Sequence, residues 1–183
     1  MRGIDVPERT EDFTADPVEL FFDLAFVFAF SQLVGHLVHH PTWTGVGEAA
    51  LLFVWLWFAW SQFTWAANAV SGNGRTVRFI FLVATAACVP MAAAVTTAFD
   101  DGGPVFAIPL AAIVVGGLLT LSTAFEPGSP ELRSTIWYSL PSTLAVGVLV
   151  VGSLLEDEAR VVVWLIGLAI LIATTIGAGR GDW

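Results

Sequence analysis

The chain has no lysine, and all seven of its basic residues are arginines. Charged residues of both signs make up only 13% of its 183 residues, roughly half the share a soluble domain carries. With a formal net charge of −9 and no basic stripe, nucleic acid is not an expected partner. The single cysteine, Cys88, lies inside an apolar run, so no intramolecular disulfide can form. No HExxH, cysteine pair, nucleophile elbow, Walker loop or dinucleotide glycine signature occurs, and "SGNGRT" reads as a turn rather than a phosphate cradle. No catalytic residue is singled out, no cofactor is indicated, and enzymatic activity is not the expected role.

Apolar residues dominate, at 56% of the chain with a mean hydropathy of +0.79. About 20 apolar residues in a helix, rising 1.5 Å each, cross the hydrocarbon of a bilayer. Uncharged runs of that kind cover Ala49–Val70, Phe79–Phe99, Val105–Phe125, Ser134–Leu155 and Val161–Gly179. A further run, Leu20–Val38, qualifies if Asp23 is admitted to it. Lipid cannot satisfy a bare backbone, and the runs lack the period-two alternation of barrel strands, so each is expected to be a helix. The fold class that follows is all-α: a polytopic membrane protein, a bundle of six transmembrane helices over residues 17–183 behind a tail of residues 1–16. That mixed-charge tail is unlike a cleaved signal peptide, so the first span is expected to be retained.

Arginine placement orients the bundle. Arg2, Arg9, Arg75, Arg78, Arg133 and Arg180 fall on one side of a six-span arrangement and Arg160 on the other. Both termini are therefore expected to be cytoplasmic, in the cell (inner) membrane. Pro90 and Pro141 interrupt the third and fifth runs, and Ala112 with Gly116 forms a small-xxx-small pair suited to close helix contact.

In "PVELFFDLAFVFAF", Glu19 and Asp23 stand one helical turn apart, about 40° around one face, with Asp23 roughly 6 Å deeper. An acid at that depth needs a donor from a neighbouring helix. The second run supplies candidates: Ser61, Thr64 and Asn68 share a face, with Gln62 nearby. Glu19, Asp23, Gln62, Thr64 and Asn68 thus form the expected polar pocket, a possible ion or proton site between the first two helices. The expectation is that Gln62 or Asn68 meets Asp23. Against it stands the plain reading that Glu19 only complements the helix dipole and the helix 2 groups only hold helices together. Trp55, Trp57, Trp60 and Trp65 are too spread in depth for an interfacial belt, which leaves packing as their role.

In "HLVHHP", His36 and His39 fall on one helical face, a weak metal pair that would need a third ligand from Glu48, Asp100 or Asp101. His40 precedes Pro41 and is biased off the helix.

Three blocks in order, "PVELFFDLAFVFAFSQL", "WLWFAWSQFTWAANAV" and "RTVRFIFLVATAACVPMAAAV", resemble the bacterial low temperature requirement A family of membrane proteins. The resemblance matches the ELFFDL-type motif to Glu19–Leu24 and a Trp-x-x-Asn-like element to Trp65–Asn68. It also implies a second half, about as long again, with an acid- and histidine-bearing block that has no counterpart here. The chain is accordingly expected to be a fragment, a half-length member or half of an assembly, with the lipid bilayer, itself or a second-half polypeptide as partners. The family name describes growth rather than a reaction. Ion- or proton-coupled transport and a non-catalytic envelope or cold-adaptation role are the two functions carried forward, ahead of a membrane-embedded metalloenzyme.

Overall fold

The computed structural model describes residues 17–69 and 75–179. The tail with Arg2 and Arg9, the loop tip at residues 71–74, Val70 and Arg180 lie outside the described residues. Within them the chain is all-helical: α1 Pro17–His39, α2 Trp43–Ala69, α3 Arg75–Ala93, a 3-10 turn Val95–Thr97, α4 Gly103–Ser122, α5 Pro130–Ser153 and α6 Asp157–Gly179. Five of the six helices are long and apolar enough to cross a membrane; α3 is a shorter apolar helix. Exposed Phe21, Val27, Trp57, Leu119, Leu140 and Ile166 stud the outer faces. Such a surface would aggregate in water and is matched by lipid, so the chain is a multi-pass membrane protein.

Local chemistry sets the helix ends. Pro17 takes the first position of α1, where its missing N–H costs nothing, and Glu19 meets the dipole in the first turn. Thr42 caps α2: its hydroxyl accepts from the Gly45 N–H at 3.1 Å, which draws "WTGVGE" into the helix ahead of the apolar run. A Cβ on Gly45 would fall 2.1 Å from the His40 carbonyl oxygen, so only glycine fits this tight turn. Likewise Ser129 caps α5 by accepting from Leu132 N–H at 3.1 Å, with Pro130 in the first turn, and α5 starts four residues before the apolar run.

The third run departs from expectation. It reads as one helix from Phe79 to Phe99, but α3 stops at Ala93. Pro90 offers no N–H to the carbonyl one turn back. Beyond it the Ala94 N–H is shared between the carbonyls of Pro90 (3.1 Å) and Met91 (3.2 Å), and the backbone tightens into the 3-10 turn. Helix and turn together extend over about 34 Å, enough to match the longer helices.

Consecutive helices alternate in direction. One end of the bundle, called here the near end, holds the start of α1, α3 and α5 and the finish of α2, α4 and α6. α1 packs on α2 and α3, α4 packs on α2, α3 and α5, and α5 pairs with α6. Trp55, Trp164, Phe22, Phe26, Phe106 and Met91 are the large buried side chains of the core. The close-contact glycine of α4 is Gly117, not the expected Gly116. A Cβ on Gly117 would lie 3.3 Å from the Phe63 Cα, whereas one on Gly116 would meet nothing within 4 Å. Gly116 and Ala112 instead line a lateral apolar hollow against α3.

At the far end, Arg160 is buried and pinned by backbone. Its Nε donates to Leu155 O at 2.9 Å, and one terminal nitrogen donates to Ala98 O (2.9 Å) and Asp100 O (2.5 Å). The Ala98 and Asp100 carbonyls are freed where the third element loses helical pairing, and that of Leu155 where α5 ends. A planar, permanently charged fork is suited to that task. Next to it Trp164 donates to Leu149 O at 2.9 Å, and a Cβ on Gly152 would reach within 2.6 Å of its ring.

Candidate functional site

The α1–α2 hairpin keeps one antiparallel register throughout. Phe22 stacks at 4.4 Å on Phe63, Asp23 bonds Trp60, Phe30 packs at 5.4 Å on Phe53, and His36 bonds Glu48. In each pair, moving toward the far end on α1 matches moving back along α2. That register decides which polar residues can meet.

Half-buried Asp23 accepts a hydrogen bond from the indole Nε1 of Trp60 at 2.9 Å, and no ion pair to it occurs among the described residues. Its expected partners lie elsewhere, which corrects the sequence reading. Gln62 is two residues past Trp60, about 200° around the helix, and its amide donates to the Tyr138 hydroxyl on α5. Asn68 is exposed, and the register places it at the very start of α1, more than two turns from Asp23. Thr64, half-buried, stands one turn beyond Trp60 and so at the level of half-buried Glu19. In the parallel α1–α3 pair, Phe22 lies against Phe81 at 5.8 Å, which puts Arg78 at that same level.

Among the described residues, aromatic rings rather than polar groups occupy the α1–α2 seam at this depth. Phe22, Phe26, Phe63 and Phe81 fill the seam, with ring centroids 4.4–5.8 Å apart. The polar groups of α2 divide between two sides of the helix. Trp60 serves α1, while Ser61 and Gln62 face a cavity of about 610 Å³ bounded by α2, α4, α5 and α6. The tryptophans divide too: Trp55 is fully buried, Trp57 and Trp65 are exposed, and Trp60 carries the bond to the acid.

At the far end, His36 is 2% exposed and its Nε2 lies 3.0 Å from Glu48 Oε2. Its Nδ1 has no partner among the described residues, and its ring stacks at 4.8 Å on His40 rather than on His39. Exposed His39 bonds the Gly35 carbonyl at 2.7 Å through Nδ1. The two histidines of the expected metal pair thus use different partners, and no three His, Cys, Asp or Glu side chains converge among the described residues. Asp100 contributes its backbone carbonyl to Arg160 instead of a carboxylate to the histidines.

Sequence reasoning missed Trp60, Tyr138 and Arg160 as polar partners. A tryptophan in an aromatic run reads as packing, and a lone tyrosine carries no spacing signal. Only Arg160, a charge at the edge of an apolar run, gave a hint.

The order of acid-bearing α1, aromatic α2 and proline-interrupted α3 is the pattern of a known family. The family model of the bacterial low temperature requirement A protein (LtrA) matches residues 14–181. The chain belongs to this family. It is 32% identical over 169 residues to the uncharacterized protein RA0937 of Rhizobium meliloti (strain 1021), a match covering 89% of this chain and 40% of that protein. The chain therefore spans well under half the length of that relative. No solved structure matches.

Proposed function

We propose that the chain is the acid-bearing unit of an ion- or proton-coupled LtrA-type membrane protein, with Asp23 as the group that takes up and releases the proton. The observation supporting this is the setting of Asp23: a carboxylate within a spanning helix, joined to one neutral N–H donor and no ion-pair partner among the described residues. An acid inside a spanning helix that meets one neutral donor is a functional-site candidate by its position alone. Glu19, one turn nearer the membrane surface, is the next group on that path, with the near end cytoplasmic as the arginine distribution predicts.

In proteoliposomes driven by a pH gradient, the wild-type chain should carry a flux that Asp23→Asn abolishes. Absence of flux in the wild type, or unchanged flux in the variant, leaves the second reading. That reading is a structural envelope protein, and the aromatic filling of the α1–α2–α3 seam favours it. It expects Asp23→Asn to lower heat stability in detergent while still complementing a deletion strain.

A further inference from the structure

The cavity among α2, α4, α5 and α6 is independent of Asp23, which does not line it. Its cause is visible in the packing. α6 closes on α2 at Gly167, where a Cβ would lie 3.1 Å from the Trp55 ring and 3.0 Å from the Ala145 carbonyl. From Leu168 to Ala178 toward the near end, α6 lines the cavity opposite Val54–Trp65 of α2. Along either helix the lined stretch is about 15–17 Å long.

Its chemistry is ordered by depth. Trp164 bonding Leu149 fixes the antiparallel α5–α6 register, which brings Tyr138 level with Thr175. Gln62 bonds Tyr138, so α2, α5 and α6 each place one uncharged polar side chain at a single level. Deeper than that level the walls are Val54, Phe58, Leu168 and Leu171, all apolar. Among the described residues, no charged side chain lines the cavity. The Tyr138 hydroxyl is shared with the Ser142 and Thr175 side chains as well, so one Gln62 N–H, its carbonyl and an acceptor site on the Tyr138 oxygen are left to bond a guest.

We infer that this cavity binds a single-chain, uncharged amphiphile drawn from the bilayer. Its hydroxyl or carbonyl head bonds the Gln62–Tyr138 pair, and its tail runs inward past Leu168. An ionised head is disfavoured because nothing there compensates its lost hydration. A further spanning helix is poorly matched: the lined stretch of about 15–17 Å covers only about half of the roughly 30 Å such a helix runs. The volume of about 610 Å³ lies within the range of small-molecule sites, roughly 300–1,000 Å³.

The test uses the full chain in phosphatidylcholine nanodiscs with three probes of equal chain length: dodecanol, dodecane and dodecanoate. Dodecanol should raise the unfolding midpoint saturably, dodecane and dodecanoate much less. A dodecanol analogue with a photoreactive chain end should label Val54–Phe58 or Leu168. Gln62→Leu and Tyr138→Phe should each weaken dodecanol binding about fivefold, the value of one neutral hydrogen bond. Leu168→Trp, which fills the tail channel, should remove binding. Equal effects of all three probes, labelling confined to the outer faces, or full affinity in both polar variants would overturn the assignment. Should Gln62→Leu fail to fold, Tyr138→Phe, which deletes one oxygen, decides it.

Discussion

Trp60 reaches across from α2 to hold the Asp23 carboxylate at 2.9 Å, on the side of α2 opposite the Gln62–Tyr138 bond. One helix thus ties α1 to its left and α5 to its right through residues only two positions apart. If the tie to α1 matters, Trp60→Phe should show it, since the ring stays and only the N–H is lost. The expected cost is about 1 kcal/mol, the usual scale of interhelical bonds in membranes. A double-mutant cycle with Asp23→Leu, which removes the acceptor, read by unfolding in mixed micelles, should give a coupling of similar size. Additive effects would mean that the bond contributes nothing.

Arg160 is the larger stake. Replacing it with Met removes three charge-assisted bonds from a buried guanidinium to the carbonyls of Leu155, Ala98 and Asp100. A loss of at least about 3 kcal/mol is expected, visible as a fall in the thermal midpoint. Arg160→Lys should recover only part of it, because an ammonium cannot reproduce the fork. Equal stability of the Lys and wild-type chains would show that charge alone suffices.

These two residues mark how far the sequence was legible. Apolar runs of spanning length announced the six helices, because lipid leaves the backbone no alternative. Helix ends were less legible: Thr42 and Ser129 recruit polar residues into α2 and α5, and Pro90 withdraws the end of α3. Partner choice was the least legible. Spacing along α2 put Ser61, Thr64 and Asn68 on one face, but the hairpin register and the direction of Gln62 decide contacts, and both are tertiary facts. The place of Asp23 in the second turn of α1 could be read in advance, while its donor came from a residue type classed as packing.

The His36–Glu48 pair gives a sharper contrast between neighbours. Glu48→Leu would leave a buried imidazole with neither nitrogen partnered, since Nδ1 already has no partner among the described residues. About 2 kcal/mol should be lost on the scale of an unsatisfied buried polar group. His39→Ala, at an exposed position with one local bond, should be neutral within about 0.5 kcal/mol. Similar losses in both variants would point to a shared role for the two histidines.

Adjacent glycines on α4 provide the cleanest check of the packing. Gly117 meets the Phe63 backbone, and a Cβ there, 3.3 Å from the Cα, presses on main chain that cannot rotate away. Gly117→Ala should therefore cost about 1–2 kcal/mol, as overpacked sites do. Gly116→Ala adds a methyl where nothing lies within 4 Å and gains helix propensity, up to about 1 kcal/mol. The two variants should shift the unfolding midpoint in opposite directions. Reversed signs would move the α2–α4 contact to the face predicted from the small-residue spacing, and the cavity bounded by α2 and α4 would have to be redrawn with it.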